Sequence, residues 1–524
     1  KQDSPKFWNF ILWLVGSTVP ASLVSGAKLF DLMTTKKIVV IGAGFGGLSA
    51  AALLAKDGHQ VTVLEKHNMV GGRARVWQER GFSFDMGPSW YMMPEIYERY
   101  FSLFGKKPSD YYSLKRLSPS YRAYFGESDK VDMPSDVEET YKLFESIETG
   151  AGEKLREYLA QAEYQYEVSM KEFIYKDFNS IFDFFTKRMI TEGRKLHVFE
   201  KLSSFTKRYF KNERLRKLLE YSMVFLGGAP DNTPALYSVI NHADLNLGVW
   251  YPQGGFGAVA SAFQKLAEEQ GVKFEFEQTV TGFEYEKNQI RKVKTSSGDF
   301  EADLVVANAD YHFVDQTLLE KQYRDYSPRW WNKRVVAPSA FIVYVGVNKK
   351  LSGLLHHTLF LDKDWTEHFN TIFNKPAWPD QPSFYLCTPS QTDDSVAPEG
   401  SENLFFLAPI ASGLDDTPEV HERLKNNLYD RLEKITGQKF KENIVVERVF
   451  SLKDFSGDYN AFRGTGLGLA HTLWQTAYFR PRMRSKKLSN LYYVGHHTQP
   501  GVGVPMVVIS GQIVSEKIGK EQNG

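Results

Sequence analysis

The stretch Lys37–Glu65 restricts what this chain can fold into more than any other. Ile38-Val39-Val40-Ile41 is an unbroken β-branched run, the composition of a parallel strand covered on both faces. Gly42-Ala43-Gly44-Phe45-Gly46-Gly47 follows at once, and Leu48–Lys56, rich in alanine and leucine, predicts a helix. A second apolar strand, Val61–Leu64, ends on Glu65. A lone glycine turn says little, but strand, turn, helix, strand and terminal acid in this order form the unit that cradles a dinucleotide. Gly42 allows the tight turn, Gly44 lets backbone N–H groups approach a pyrophosphate, and Gly47 lets the helix lie close to the strand. The helix N-terminus adds partial positive charge for the phosphates. Glu65, 23 residues beyond Gly42, is placed to accept hydrogen bonds from ribose hydroxyls.

A chain of 524 residues exceeds one ordinary core and predicts two or three domains. Its 64 basic and 63 acidic residues balance, which excludes a broadly nucleic-acid-binding surface. Cys387 is the single cysteine, so no intrachain disulfide framework exists; it reads as a core residue rather than a catalytic thiol. The 14% aromatic content fits either a long apolar cavity or a simple bias toward Phe and Tyr. Phe7–Val24 is mostly apolar but carries Gly16 and Pro20 and falls short of the ~20 apolar residues a spanning helix needs. Residues 1–32 are therefore expected to be an upstream extension.

Further along, Gly81–Asp85 predicts a strand turned by Gly87-Pro88-Ser89. Asp110–Asp136 reads as short strands and Val137 to Tyr221 as largely helical. Within that region, Phe184–Leu219 carries eleven Lys and Arg against three Glu, interleaved with aromatic residues. Basic amphipathic helices of this kind suit an anionic membrane surface, with Lys207, Arg208, Arg214 and Lys217 as contacts. The plainer alternative is a solvated face whose apolar side belongs to the core. The chain then re-enters the first domain through a helix at 258–270, a strand at 272–276 and a hairpin from Val280 that ends in Ala307-Asn308-Ala309-Asp310. Phe341–Val347 and Asn403–Pro409 alternate as strands of a separate domain. No metal site is expected, since His356-His357 and His496-His497 lack further ligands at a metal-binding spacing. Near the end, an apolar strand stops at Gly495, and a Gly/Pro loop opens a helix over Val507–Ile518.

Gly71-Gly72-Arg73, six residues past Glu65, resembles the second glycine pair of the flavin amine oxidase and carotenoid desaturase superfamily. With Gly227-Gly228-x-Pro230, Trp250-x-Pro252-x-Gly254-Gly255, Ala397-Pro398-Glu399-Gly400 and Phe479-Arg480-Pro481, the chain from Lys37 to Ile518 resembles a bacterial-type phytoene desaturase. The resemblance implies FAD, without NAD(P). It makes Gly42, Ala43, Gly44, Gly46, Gly47, Glu65 and Lys66 cofactor-binding residues and lays Gly72 and Arg73 along the FAD pyrophosphate. Gly87, Pro88 and Ser89 would pass beside the flavin ring, the backbone of Val280 would hold the adenine, and Asp310, Gly495, Val502, Gly503, Val504 and Pro505 would complete the site. His496-His497 stand where relatives often carry small residues and change the polarity beside the flavin.

The fold so implied is α/β. A Rossmann-type FAD-binding domain (33–110, 226–312 and 481–524) is interrupted by a helical, membrane-contacting insertion (111–225) and an α+β substrate domain (313–480). The implied reaction introduces C=C bonds into 15-cis-phytoene toward lycopene, one hydrogen leaving as hydride to flavin and one as a proton. The hydrophobic polyene would be bound by apolar burial, and oxygen or a quinone would be the terminal acceptor. The setting would be cytoplasmic, peripheral on the inner face of a membrane. No acid or base is assigned; Asp183 is the sole candidate for polarising the site, against its reading as a surface carboxylate. Alternatives are a desaturase of a C30 or later carotenoid, a polyene isomerase or saturase, and, more distantly, a flavin amine oxidase.

Overall fold

The structure is a computed structural model that describes residues 35–184 and 193–523. Phe7–Val24 and the basic residues Lys187 and Arg188 lie outside the described residues. The first predicted strand runs Lys37–Ile41 and sits at the centre of a five-stranded parallel sheet. Gln60–Leu64 and Lys273–Glu275 lie to one side of it, Leu304–Ala307 and Leu491–Tyr493 to the other. The register aligns their carboxyl ends: Ile41 stands beside Leu64 and Ala307, Leu64 beside Glu275, and Ala307 beside Tyr493. Gly42, Glu65, Asn308 and Val494 therefore leave the sheet side by side, at the edge where open parallel sheets bind ligands.

Helices Phe45–Lys56, Gly255–Glu269 and Val504–Asn523 cover this sheet. The first is longer toward its N-terminus than the Leu48 start expected, because Gly44 acts as its N-cap and Phe45 is buried against Phe263. Its contact with Val504–Asn523 is a backbone contact: a Cβ on Gly511 would lie 2.7 Å from the Gly46 carbonyl oxygen. The Ser49 hydroxyl donates to the Val508 carbonyl at 2.8 Å across the same seam.

The second body is built on a seven-stranded sheet in the order 444–450, 339–347, 402–410, 384–387, 357–360, 121–124, 130–133. All its pairings are antiparallel except His357–Phe360 with Tyr121–Tyr124. Two of the seven strands thus come from the region read as a mainly helical insertion. The same region also holds strand Leu114–Arg116 and helices Val137–Ile147, Ala151–Glu172, Leu202–Tyr209 and Glu213–Glu220. Ser339–Val347 is buried along its whole length because both faces of its strand are covered. Phe341, Val343 and Val345 pack with Leu424, Leu428 and Leu432 of helix Pro418–Thr436, while Ala340 and Ile342 face the opposite way, into a cavity.

Among the described residues, the basic helices Leu202–Tyr209 and Glu213–Glu220 turn their apolar side chains into the core. Phe205, Phe210, Leu215, Leu218 and Leu219 are buried in the core. Arg208 pairs with Glu200 at 2.9 Å, Arg214 with Asp129 at 2.8 Å and Lys217 with Glu213 at 3.0 Å, and Lys207 is exposed. No described helix is long and apolar enough to cross a membrane.

Between this helical layer and strand Tyr121–Tyr124, Asp244 is buried and accepts hydrogen bonds from Tyr121 at 3.1 Å and Tyr221 at 3.0 Å. Burial pushes its carboxyl up to about 7, the two hydroxyls opposing only part of that shift. The folded state therefore holds this proton where the unfolded chain has lost it, and its contribution to stability is lost as pH rises from the ordinary carboxylate range through about 7. Asp244→Asn, which cannot ionise, is expected to flatten the fall in thermal midpoint between about pH 5 and about pH 8, measured by calorimetry at several pH values.

Candidate functional site

Loop geometry at the sheet edge follows from the glycines. Gly42 has φ +98°, and a Cβ on Gly47 would stand 2.2 Å from the Gly42 carbonyl oxygen, so helix and strand approach more closely than any side chain permits. The second glycine pair lies against the first loop: Gly71 N–H donates to the Ala43 carbonyl at 2.9 Å, and a Cβ on Gly72 would lie 3.2 Å from Gly44 Cα. Glu65 is buried at the end of its strand, where Ala43 N–H donates to one carboxylate oxygen at 2.7 Å and His67 N–H to the other at 2.9 Å. Gln278 N–H donates to the Glu65 carbonyl at 2.8 Å, which brings Val280 to the same corner.

These segments line one cavity of about 1180 Å³. Gly42, Gly44, Gly46, Glu65, Lys66, Gly72, Arg73 and Val280 form its first part, with Asp310, Gly495 and Val502–Pro505 beyond them and Gly87-Pro88-Ser89 opposite. Ala43 and Gly47 are buried behind that surface. Asn308, which the sequence reading passes over in favour of Asp310, is the side chain that organises the loop. It donates to the Gly42 carbonyl at 3.2 Å, and any Cβ on Gly44, Gly46 or Gly47 would collide with it.

A buried charge cluster occupies the middle of the cavity wall. The Arg73 guanidinium touches the His496 ring at 2.9 Å and donates to the Thr465 carbonyl at 3.4 Å, while its Nε has no partner. His497 Nε2 lies 2.9 Å from Asp310 Oδ2. Burial alone would raise the Asp310 carboxyl; His497 and Arg73 outweigh it and hold the group below the usual carboxylate range. Burial and the neighbouring Arg73 hold the His496 imidazole well below its ordinary value. Among the described residues, two groups of three bring metal-type side chains together, Asp310–His496–His497 and His356–His357–Cys387, each with ligand atoms within 4.8 Å. Folding assembles these groups from positions whose spacing in sequence does not disclose them.

The cavity continues past Ser89 and Gly495 into an apolar channel walled by Phe173, Val224, Leu236, Ile240, Ile342 and Leu407. Its total volume exceeds the ~300–1,000 Å³ of an ordinary ligand pocket, room for a dinucleotide and a second, apolar ligand. Phe199, 91% exposed, and Trp474, 69% exposed, also line it and mark where it reaches the surface. Asp183 does not line this cavity; it is exposed and accepts hydrogen bonds from Asn179 N–H and Ser180 N–H within its own turn.

The comparisons agree with this geometry. The profile of the flavin containing amine oxidoreductases matches residues 45–519. The chain therefore belongs to that flavin-dependent family. Within it the chain stands with the carotenoid desaturases, oxidoreductases that act on carbon–carbon bonds. It is 45% identical to a carotenoid 3,4-desaturase of Haloarcula japonica over 93% of this chain and 98% of that one. It is 32% identical to a zeta-carotene-forming phytoene desaturase of Myxococcus xanthus over 92% and 94%. Among solved structures, an oxidoreductase from Methanosarcina mazei shares the fold at TM-score 0.61 and 18% identity, over 92% of this chain and 100% of that one.

FAD is the cofactor this membership assigns, and the residues present fit it. A Cβ on Gly44 would meet the Asn308 side chain and one on Gly72 would meet Gly44 Cα, so only bare backbone fits where the two loops face the cavity, and the orphaned Arg73 Nε is a buried donor without an acceptor. A carboxylate hydrogen bond to a ligand contributes about 1.5–3 kcal/mol. Glu65→Ala is accordingly expected to weaken FAD binding about ten- to hundredfold, read by titrating the apo-protein and following quenching of flavin emission. Gly47→Ala, whose Cβ has no room against Gly42, is expected to abolish the bound-flavin absorbance altogether.

Proposed function

We propose that this chain desaturates an acyclic carotenoid, and that the bond it oxidises is the 3,4 bond near the end of the polyene. The observation that carries the reading is the single cavity in which a glycine-rich dinucleotide cradle opens directly into an apolar channel. A polyene offers no charged group, so its binding rests on apolar burial at ~25 cal/mol per Å² along such a channel. The 3,4 regiochemistry is favoured by the 45% identity to the Haloarcula japonica enzyme, against 32% to the phytoene desaturase of Myxococcus xanthus. Desaturation of 15-cis-phytoene toward lycopene is the second reading, favoured by the sequence motifs.

In this reading, Gly44, Glu65, Lys66, Gly72, Arg73, Val280 and the N-terminus of helix Val504–Asn523 hold the FAD, and Gly87–Ser89 bring the backbone beside its ring. The bound flavin supplies the two-electron oxidant. The chain's own part is to align the polyene, exclude water with the channel walls and accept the proton that leaves carbon. Residues 33–110, 226–312 and 481–524 form the cofactor domain, and the seven-stranded sheet forms the floor of the channel. The substrate enters from lipid at Phe199 and Trp474, with the protein held peripherally on the inner membrane face by those aromatics and by Lys207. Oxygen or a quinone then re-oxidises the cofactor.

Co-expression separates the readings. In a host that accumulates lycopene, the chain is expected to yield a pigment absorbing at longer wavelength, while in a host that accumulates phytoene the pool stays colourless. Colour in the phytoene host would favour the second reading. An unchanged carotenoid profile in both hosts would reject desaturation.

A further inference from the structure

The channel is largely apolar, and two hydrogen-bonded lines of polar side chains reach its wall: Tyr237 with His471 and Thr476, and Ser89 with Tyr385 and His357. Tyr385 faces the cavity from strand Phe384–Cys387. Its hydroxyl lies 2.8 Å from the Ser89 hydroxyl and 2.7 Å from His357 Nδ1. His357 is fully buried, and the Trp90 ring stacks on it at 4.2 Å, fixing its plane. His357 Nε2 has no partner. The His356 ring stands 4.5 Å away by centroid, and its Nδ1 lies 2.9 Å from Thr392 Oγ1, on a half-buried residue at the far side of the sheet.

We propose that Tyr385, backed by His357, takes up the proton lost from carbon during desaturation. This rests on the desaturase reading above. One C–H bond breaks with its electron pair passing to the flavin, the two-electron oxidant. The adjacent C–H bond breaks so that its electron pair becomes the new π bond, and its proton goes to Tyr385 Oη. Tyr385 at the same time passes its own proton to His357 Nδ1, and after the product leaves the imidazolium returns that proton through Tyr385 and Ser89 to water entering the cavity.

The chemistry suits a weak base. A carbon next to a delocalised allylic cation is strongly acidic, so an uncharged acceptor is sufficient, whereas a fixed cation would repel the developing charge. Burial and then the neighbouring His356 hold the His357 imidazole well below its ordinary value, which keeps it neutral at rest. Burial likewise raises the Tyr385 phenol well above its ordinary value, which keeps its proton in place until His357 takes it. Cys387, paired across the strands with His357, is pushed up to about 12 by burial and does not compete as an ionised group.

The test uses the FAD-loaded full chain with lycopene or phytoene in liposomes, whichever the wild type converts. Flavin reduction is followed by the loss of its visible absorbance in a single anaerobic turnover. Tyr385→Phe and His357→Asn are expected to retain FAD and to bind the polyene as wild type does, read by quenching of tryptophan emission. They should reduce flavin about 100-fold more slowly. The isotope effect from deuterium at the carbon that loses the proton should also rise, which a merely structural defect would not cause. A rate within about threefold of wild type in both variants overturns the proposal. So does a slower rate that only tracks weaker polyene binding, or one with an unchanged isotope effect. If wild-type flavin is not reduced by either polyene, the desaturase reading fails and the proposal falls with it.

Discussion

The structure depends on a contact between bare backbones. Helix Phe45–Lys56 lies so near the sheet that a Cβ on Gly47 would meet the Gly42 carbonyl oxygen at 2.2 Å. The C-terminal helix lies so near the first that a Cβ on Gly511 would meet the Gly46 carbonyl at 2.7 Å. Side chains normally hold packed helices 8–10 Å apart. Glycine here lets the ends of three strands and two helices converge on one point. Gly42, Asn308 and Gly495 meet there although hundreds of residues separate them along the chain. Without that convergence the first loop, Arg73 and the loop Val502–Pro505 would not share one cavity.

The second constraint is the pairing of two solvents within that cavity. The cofactor end is polar and charged, with Glu65, Arg73 and Asp310 buried among backbone donors. The channel end is apolar, built by one face of the seven-stranded sheet and the helices above it. Buried charge is tolerated only where it is paired: Ala43 and His67 answer Glu65 and His497 answers Asp310, while Arg73, held by His496 and the Thr465 carbonyl, keeps its Nε without a partner. The Ser89–Tyr385–His357 line places a hydrogen-bonded phenol on the cavity wall with a buried imidazole behind it.

What was legible in the sequence was local or strongly patterned. Lys37–Glu65 announces its strand, turn, helix and acid because each constraint acts within a few residues. The resemblance extended that reading to Gly72, Arg73, Val280, Gly495 and Val502–Pro505, all of which line the same cavity. Contacts between distant segments were not legible. Asn308 is one asparagine in a strand end until Gly44, Gly46 and Gly47 are seen pressed against it. His357 and Tyr385 lie on neighbouring antiparallel strands, a pairing that periodicity does not specify. The basic stretch shows the limit most clearly. Its excess charge gave no sign that Asp129 and Glu200 answer Arg214 and Arg208 in space, nor that Phe205 and Phe210 are core while Phe199 is exposed.

The central claim is that cofactor and polyene occupy one continuous cavity, so that a change in the channel is felt at the flavin. Ala340 lines the channel from the sheet floor and is remote in sequence from the glycine loop. Ala340→Trp should fill the channel while leaving the cradle intact. The account predicts that this variant binds FAD with the wild-type absorbance but loses the quenching of flavin emission caused by added polyene. Quenching and turnover equal to those of the wild type would contradict it.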